Sequence, residues 1–288
     1  MRRKYMKSPY FTVTIYTELY ATVTVGSQSK TSDSSGKATF LLKKGNYYYT
    51  IHKDGYDNKS GYLDITKNQS FTFYLDRESK TVLLMHFDNS LKDEAGHTGN
   101  STGGSVYFDS GRFNNCINLN RGSGVHFDDA GFGDIINNNQ WTIEFWCFPL
   151  TNGLTNSYMI SSWYSGGYQF ALHGGSDSYS LNPHLEIRKN GGGEGTGGTC
   201  TQSMSYNKWN HVAFVRNGGL LGFVNGVGGS LMSYTPMTSA FSESRLDIGY
   251  KADTGNYKSG FRIDELRISK VARYLSNFTP SQSPFVKD

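Results

Sequence analysis

Short apolar runs separated by tight-turn signals follow one another along this chain and restrict the folds that it can adopt. Residues 209–227, WNHVAFVRNGGLLGFVNGV, contain three such runs, broken at Asn217-Gly218 and Asn225-Gly226. Asn-Gly pairs favour the two-residue turns that join antiparallel strands, because both residues tolerate positive φ. The segment therefore predicts three consecutive strands of one antiparallel sheet.

The rest of the chain repeats this pattern. The segments WTIEFWCFPL, GGYQFALHGG, HLEIRKN, SRLDIGY and FRIDELRIS predict further strands, and almost no helical periodicity is present. WTIEFWCFPL has aromatic residues on both faces, which is typical of a strand buried on both sides. With 34 Gly, 20 Tyr and 18 Phe but only 6 Pro, the composition also favours strands and turns. We expect an all-β chain with a sandwich of about a dozen strands.

A charged segment, DRESK at residues 76–80, divides the chain. Before it, alternating runs such as FTVTIYT and ATVTVGS predict a small β-sandwich. TSDSSGKATF and KDGY, with Gly36, Gly45, Gly55 and Tyr56, resemble the bacterial carboxypeptidase-regulatory-like and PEGA-type modules. Members of those families are usually spacers or docking units. We predict domains at residues 1–78 and 79–288, the first being a docking or spacer module.

Charge and cysteine content restrict the possible partners. Residues 1–80 hold 13 Lys and Arg against 7 Asp and Glu, whereas the remainder holds 15 against 17. No basic helix or alternation of basic and aromatic residues indicates nucleic-acid binding. The three widely spaced cysteines form no disulfide framework or metal motif, which favours a reducing compartment. The strand-like start and the lack of a long apolar run predict a chain made in a cytoplasm without membrane insertion.

Four ordered motifs in the second part resemble a known family. They are TVLLMHFDNSLKDEAG, WTIEFWCFP, WNHVAFVRNGG…GFVNGV and IGY…FRIDELRISKVARY. Together they resemble the laminin-G-like branch of the concanavalin A-like lectins and glucanases over residues 81–280. This resemblance implies an antiparallel jelly roll of two sheets. The tail, ISKVARYLSNFTPSQSPF, is similar to the form of this domain in structural proteins of tailed bacteriophages.

The family that the chain resembles includes glycosidases, so an enzyme of this family would carry a catalytic motif. The glucanase branch carries Glu-x-Asp-x-x-Glu on one strand, which brings two carboxylates together for retaining hydrolysis. This chain contains no such segment, no Gly-x-Ser-x-Gly elbow and no His-x-x-x-His pair. We therefore expect no enzymatic activity.

Asp264 and Glu265 pose a separate problem in the middle of a predicted strand. Adjacent residues of a regular strand point to opposite faces, so one carboxylate should face the core and needs a partner there. The resemblance implies that the first and last strands are neighbours and that Asp88, Asp93 and Asp264 hold a structural calcium ion. The alternative is that Asp264 pairs with Arg262 or Arg267, or caps amide groups of a turn.

Aromatic side chains could bind glycans. Trp163, Tyr164 and Tyr168 lie in SSWYSGGYQF, and sugar rings stack on such side chains through their apolar faces. The alternative is that they fill the sandwich core.

These observations predict a non-enzymatic virion structural protein of a tailed bacteriophage, as a capsid decoration, head-fibre or tail-fibre component. The N-terminal module would contact other virion proteins, and the jelly roll would face outward and bind glycans. The alternative is a carbohydrate-binding module or glycoside hydrolase of the concanavalin A-like family.

Overall fold

The structure is a computed structural model. It describes residues 10–53, 56–75, 80–119, 123–128, 130–150, 158–162, 168–174, 181–189, 195–232, 245–250 and 260–288. The chain divides into two compact units, Met1–Ser79 and Lys80–Asp288. Both are built from β-strands, as the sequence predicts.

The first unit is a small β-sandwich of seven strands within the described residues. These are β1 (Tyr10–Tyr16), β2 (Thr22–Val25), β3 (Gln28–Thr31), β4 (Lys37–Lys43), β5 (Gly45–His52), β6 (Lys59–Ile65) and β7 (Gln69–Thr72). They form a three-stranded sheet, β4-β1-β7, and a four-stranded sheet, β3-β2-β5-β6. Alternate side chains such as Val13, Ile15, Phe40, Ile51 and Leu63 are buried in one core between the two sheets.

The second unit contains two larger sheets. Its described strands are β8 (Thr81–Met85), β9 (Asn100–Thr102), β10 (Tyr107–Ser110), β11 (Asn115–Asn118), β12 (Gly124–Phe127), β13 (Gln140–Pro149), β14 (Tyr158–Ser162), β15 (Tyr168–His173), β16 (His184–Lys189), β17 (Gly195–Thr199), β18 (Asn210–Asn217), β19 (Gly219–Val224), β20 (Val227–Met232), β21 (Leu246–Ile248) and β22 (Phe261–Ser269). A short helix, α1 (Phe132–Asn137), buries Phe132, Ile135 and Ile136 in the core.

The eight-stranded sheet has the order β10-β11-β22-β13-β18-β19-β20, with β8 also paired to β22. The seven-stranded sheet has the order β17-β16-β15-β14-β21-β12-β9. The first and last strands of the unit are neighbours, as predicted, because Leu266 pairs with Met85. The predicted β18-β19-β20 meander is also confirmed, and Asn225 and Gly226 have φ values of 52° and 75° at its second turn.

Strand β13 is buried on both faces. Trp141, Ile143, Phe145 and Cys147 point into the main core between the sheets. Trp146 points to the other side, where it packs with Leu84 and Phe285. The chain after β22, residues 270–288, thus lies over the outer face of the eight-stranded sheet, and we call it the C-terminal strap. The strap explains the double-sided aromatic pattern of β13.

Candidate functional site

The Asp264-Glu265 pair lies at a β-bulge. Between Glu144 and Trp146, strand β13 advances two residues while β22 advances three, from Arg267 to Asp264. Glu265 lies at the bulge, where β22 has one residue more than β13. Its φ is 53°, in the left-handed region that non-glycine residues rarely adopt. The bulge breaks the alternation expected of a regular strand, so that both carboxylates are buried. The sequence predicts that one carboxylate faces the core, and the structure buries both.

Asp264 is fully buried and only partly satisfied. Its Oδ2 accepts a hydrogen bond from the Phe113 amide at 2.9 Å, whereas Oδ1 has no hydrogen-bond partner within the described part of the chain. Burial raises the pKa of this carboxyl to about 7, against the opposing effect of the Phe113 amide. Of the predicted alternatives, the structure has the turn-amide contact.

Neither predicted arginine forms a salt bridge with Asp264. Arg262 Nη2 lies 3.2 Å from Asp109 Oδ2, and Arg267 Nη2 lies 2.7 Å from Glu144 Oε1. The two arginines are therefore committed to other carboxylates.

Asp88 binds the same turn as Asp264, at residues 111–115. Its Oδ1 accepts from the Asn115 amide at 2.9 Å, and its Oδ2 accepts from Asn114 Nδ2 at 3.1 Å. The side chains of two of the three predicted calcium ligands, Asp88 and Asp264, thus contact the same turn and accept hydrogen bonds from its N–H groups.

Asp93 is held in a different loop. Its Oδ1 accepts from the His97 amide at 2.6 Å, and its Oδ2 lies 3.0 Å from His97 Nδ1 and 3.4 Å from the Leu84 amide. Within the described part of the chain, no group of three or more His, Cys, Asp or Glu side chains is arranged to hold a metal ion. Of the predicted ligands, Asp264 has one oxygen, Oδ1, that accepts no hydrogen bond from the described residues, whereas both oxygens of Asp93 are occupied. The calcium ion stays a prediction.

Glu144 forms a second buried charge cluster, for which no sequence motif gives a prediction. Its Oε1 accepts from Arg267 Nε and Nη2 at 2.9 and 2.7 Å. Its Oε2 accepts from Tyr274 Oη at 2.7 Å and lies 3.2 Å from His211 Nε2. Burial opposes ionisation of Glu144, but His211 and the positive charge of Arg267 outweigh it and lower the pKa. Glu144 is closed off from solvent, so we assign this cluster a structural role.

A third polar group lies on the outer face of the seven-stranded sheet. Tyr158, His173, His184 and Thr199 pair directly across β14 to β17 and form one row. Because alternate residues share a face, Glu186 and Arg188 on β16 project to the same side as His184. We call the set Tyr158, His173, His184, Glu186 and Arg188 the Glu186 face.

Glu186 occupies the centre of this face. Arg188 Nε lies 3.0 Å from its Oε1, and His173 Nε2 lies 3.6 Å from its Oε2. The nearby His173 ring and the Arg188 charge lower the pKa of Glu186, so the carboxylate is ionised at neutral pH. Burial lowers the pKa of His184. The Tyr158 and His173 ring centroids are 4.6 Å apart. The face combines an acceptor, a fixed cation and an aromatic pair.

The next row contains a second carboxylate far from Glu186. Asp247, Ser161, Ala171 and Glu186 are successive register partners across β21, β14, β15 and β16. Three strand spacings place the backbones of Asp247 and Glu186 about 14 Å apart. Asp247 is buried, its Oδ1 accepts from Arg245 at 2.7 Å, and its Oδ2 has no hydrogen-bond partner among the residues that the structure describes.

The side chains of the three predicted aromatic residues lie outside the part of the chain that the structure describes. Trp163 and Tyr164 lie outside the described residues, and only the backbone of Tyr168 is described, paired with Lys189. No sequence motif marks Glu186, Arg188 or His173 as binding residues. The alternation in HLEIRKN was the available signal, because it puts His184, Glu186 and Arg188 on one face.

Comparison with protein families decides the identity of the second unit. Residues 119–276, more than half of the chain, match the profile described as "Concanavalin A-like lectin/glucanases superfamily". This chain belongs to that superfamily. The predicted concanavalin A-like, laminin-G-like fold is thus confirmed. Comparison with curated proteins gave no match.

Solved structures share the concanavalin A-like fold. Domain 4 of AbnA, a GH43 extracellular arabinanase from Geobacillus stearothermophilus in complex with arabinotriose, matches with a TM-score of 0.55 and 22% identity, covering 68% of this chain and 95% of that chain. The receptor binding domain of botulinum neurotoxin C/D mosaic serotype matches with a TM-score of 0.51 and 15% identity, covering 68% and 49%. This chain thus corresponds to about half of the toxin domain. Similarity at this level of identity establishes the fold.

No helix within the described residues is both long enough and apolar enough to cross a membrane.

Proposed function

We propose that this chain is a non-enzymatic display protein whose concanavalin A-like domain binds glycans on the Glu186 face. The observation that carries the proposal is the arrangement of Glu186 and Arg188, 3.0 Å apart, beside the Tyr158–His173 ring pair. An acceptor next to a donor matches the adjacent hydroxyl groups of a sugar, and aromatic rings cover its apolar face.

The position of His173 supports a ligand at this face. Its Nε2 is buried and has no hydrogen-bond partner among the described residues, since Glu186 Oε2 lies 3.6 Å away, beyond hydrogen-bond distance. Buried polar atoms are normally paired, so an unpaired one at the edge of a polar cluster is satisfied by water or by a ligand group. A sugar hydroxyl between His173 and Glu186 would supply that partner.

The separation of carboxylates favours binding over hydrolysis. Retaining glycosidases need two carboxyl groups about 5–5.5 Å apart, and inverting enzymes about 6.5–9.5 Å. Asp247, the carboxylate in the same row as Glu186, is three strands away, at about 14 Å between backbones. Glu186 also has a lowered pKa, whereas a general acid needs a raised one.

We further propose that the protein is displayed on the virion of a tailed bacteriophage. The support is the resemblance of residues 268–285 to the tails of phage structural domains, together with the serial arrangement of two β units. In this proposal the N-terminal unit binds other virion proteins. Mass spectrometry of purified particles tests it, and absence of the chain from those particles would refute the display role.

A structural calcium ion at Asp264 is also part of the proposal. The buried Oδ1 atom without a hydrogen-bond partner is the observation in favour, since an ion there would offset the cost of burying the carboxylate. Calcium accepts irregular sets of carboxylate and carbonyl oxygens, so the neighbouring turn at residues 111–115 would supply the other ligands. Asp93, which is saturated by His97 and Leu84, is not included.

Glycan binding is tested with the full-length chain. A glycan array identifies ligands, and calorimetry then compares Glu186→Gln with the parent chain. We expect Glu186→Gln to lower the affinity for the glycan at least tenfold, about 1.4 kcal/mol. The neutral amide forms no ion pair with Arg188 and accepts a weaker hydrogen bond from a sugar hydroxyl than the carboxylate does.

The control is Asp134→Asn, an exposed carboxylate on α1. It should bind as the parent chain does, and both variants should melt at similar temperatures. Lack of any glycan ligand, or equal binding by Glu186→Gln, would contradict the proposed site.

A further inference from the structure

The outer face of the three-stranded sheet in the N-terminal unit combines exposed apolar groups with positive charge. Tyr10, Tyr16 and Leu41 are 60%, 39% and 59% exposed there. Lys37 and Lys43 lie on the same face, because they alternate with Leu41 along β4. No carboxylate projects outward from β1, β4 or β7, all three of which the structure describes in full. We call this surface the basic face.

A pocket of about 200 Å³ opens beside the basic face. Tyr10, Leu41 and Lys43 line it from the face, and Gln28 and Tyr47 line it from the other sheet. Small-molecule sites usually measure about 300–1,000 Å³, whereas an apolar cavity of about 150 Å³ holds a benzene ring. The pocket therefore has the size for one aromatic or aliphatic side chain.

The edge of β4 next to the pocket is protected against strand addition. The carbonyl groups of alternate residues on this strand accept hydrogen bonds from three side chains of the facing sheet. The bonds run from Lys30 Nζ to Thr39 O at 2.5 Å, from Gln28 Nε2 to Leu41 O at 3.2 Å and from Tyr47 Oη to Lys43 O at 3.2 Å. Blocking an edge in this way prevents uncontrolled pairing with other strands. A partner would therefore contact the basic face through side chains.

We propose that the basic face docks an acidic protein segment that inserts one aromatic or aliphatic side chain into the adjoining pocket. Lys37 and Lys43 attract the carboxylates, and Tyr10 and Leu41 bury the inserted group. Interfaces of this kind take most of their binding energy from a central apolar anchor, and charged groups at the rim accelerate and orient the encounter.

The opposite face of the same sandwich lacks this combination. Tyr48 and Tyr62 form an edge-to-face pair there with ring centroids 5.2 Å apart. Asp64 shares that face, and no lysine projects outward from the fully described strands β5 and β6. The charge difference between the two faces identifies the basic face as the docking surface for an acidic partner.

This inference names the partner chemistry of the attachment unit and rests on the display role proposed above. The binding experiment uses a peptide probe without virions, so its outcome does not depend on whether the chain is found in particles. Particle mass spectrometry tests the display role separately.

Fluorescence anisotropy with the full chain tests the docking. The probe is a labelled 11-residue peptide with one central phenylalanine, flanked on both sides by alternating glutamate and aspartate. Comparison peptides replace the phenylalanine with alanine or all carboxylates with amides. We expect the complete probe to bind at least fivefold more tightly than either comparison peptide, and added salt to weaken binding.

Matched charge reversals locate the site. Lys43→Glu should lower the affinity at least fivefold, whereas Lys67→Glu, an exposed lysine in the turn between β6 and β7, should leave it unchanged. Leu41→Ala should also weaken binding, and because Leu41 is exposed this variant should fold normally. Equal affinities for the Lys43→Glu and Lys67→Glu chains, or equal binding of the probe without phenylalanine, would overturn the proposal.

Discussion

His86 Nδ1 lies 2.7 Å from Glu265 Oε1, and this pair connects the loop after the first strand of the concanavalin A-like domain to the bulge in its last strand. His86 Nε2 lies 3.1 Å from Glu94 Oε1, so the ring lies between two carboxylates. The hydrogen bond to Glu265 raises the pKa of His86 to about 9, against the opposing effect of burial. The imidazolium donates from both nitrogens and compensates the buried charge of Glu265.

Replacing this histidine should remove a pH-dependent part of the stability. The folded pKa of His86 exceeds its ordinary value of 6.5, so its contribution is complete below pH 6.5 and disappears as the pH rises to about 9. We expect His86→Gln to lower the free energy of unfolding by about 2–3 kcal/mol at pH 6 and by much less at pH 9.5. Tryptophan fluorescence in urea reports on this unit, because all four tryptophans lie between residues 141 and 209.

His97→Gln is the control for this experiment, because its ring contacts Asp93 in a different loop. The free energy of unfolding of the His97→Gln chain should still fall between pH 6.5 and 9, as it does in the parent chain. If His86→Gln keeps it as well, His86 is not the group that titrates.

Asp264 should also make the free energy of unfolding fall as the pH rises, but over a lower pH range than His86. Burial raises its pKa from 3.8 to about 7, so without a bound cation its contribution is complete below pH 3.8 and is lost as the pH rises to about 7. Asp264→Asn should flatten the stability profile over this range by up to about 1.4 kcal/mol per pH unit. Urea unfolding at pH 5 and pH 8 in the presence of a chelator measures this effect.

The chelator also tests the calcium proposal. If calcium binds at Asp264, adding a chelator at pH 7.5 should lower the melting temperature of the parent chain and leave Asp264→Asn unaffected. Asp134→Asn should respond as the parent chain does. Identical melting curves of the parent chain with and without chelator would refute the calcium proposal and leave backbone amides, among them that of Phe113, as the partners of Asp264 within the described residues.

Glu144 and Arg267 should be strongly coupled. Both are buried and share two hydrogen bonds, so removing either partner leaves an uncompensated charge. We expect Glu144→Gln or Arg267→Met to cost about 3–5 kcal/mol each, and the double variant to cost clearly less than their sum. Urea unfolding of the four chains gives the coupling energy. Additive losses would show that the pair does not act as a unit.

The C-terminal strap offers a comparison between neighbouring residues. Phe285 is 4% exposed, packs on Trp146 and donates its amide to Glu265 Oε2 at 2.6 Å, whereas Val286 is 69% exposed. Phe285→Ala should cost about 3–4 kcal/mol and shift tryptophan emission to the red as Trp146 becomes hydrated. Val286→Ala should change stability by less than about 0.5 kcal/mol. Equal effects of the two substitutions would contradict the packing of the strap.

Much of the fold could be predicted because its signals are local. The Asn225-Gly226 turn specifies a hairpin through positive φ values, which both residues tolerate. The alternation in WTIEFWCFPL likewise indicates a strand buried on both faces, although it does not reveal that the strap provides the second cover.

The candidate sites were decided by contacts between residues distant in sequence. Glu265 has no local signal for a bulge, since a glutamate at positive φ is uncommon, yet the bulge buries both Asp264 and Glu265. Arg267 was a possible partner for Asp264, but the fold pairs it with Glu144, 123 residues away. The strands, the turns and the all-β class are predictable from the sequence, because they follow from backbone preferences and side-chain alternation. Which buried charges meet is visible only in the folded chain, because that depends on strand register and on where the strap closes.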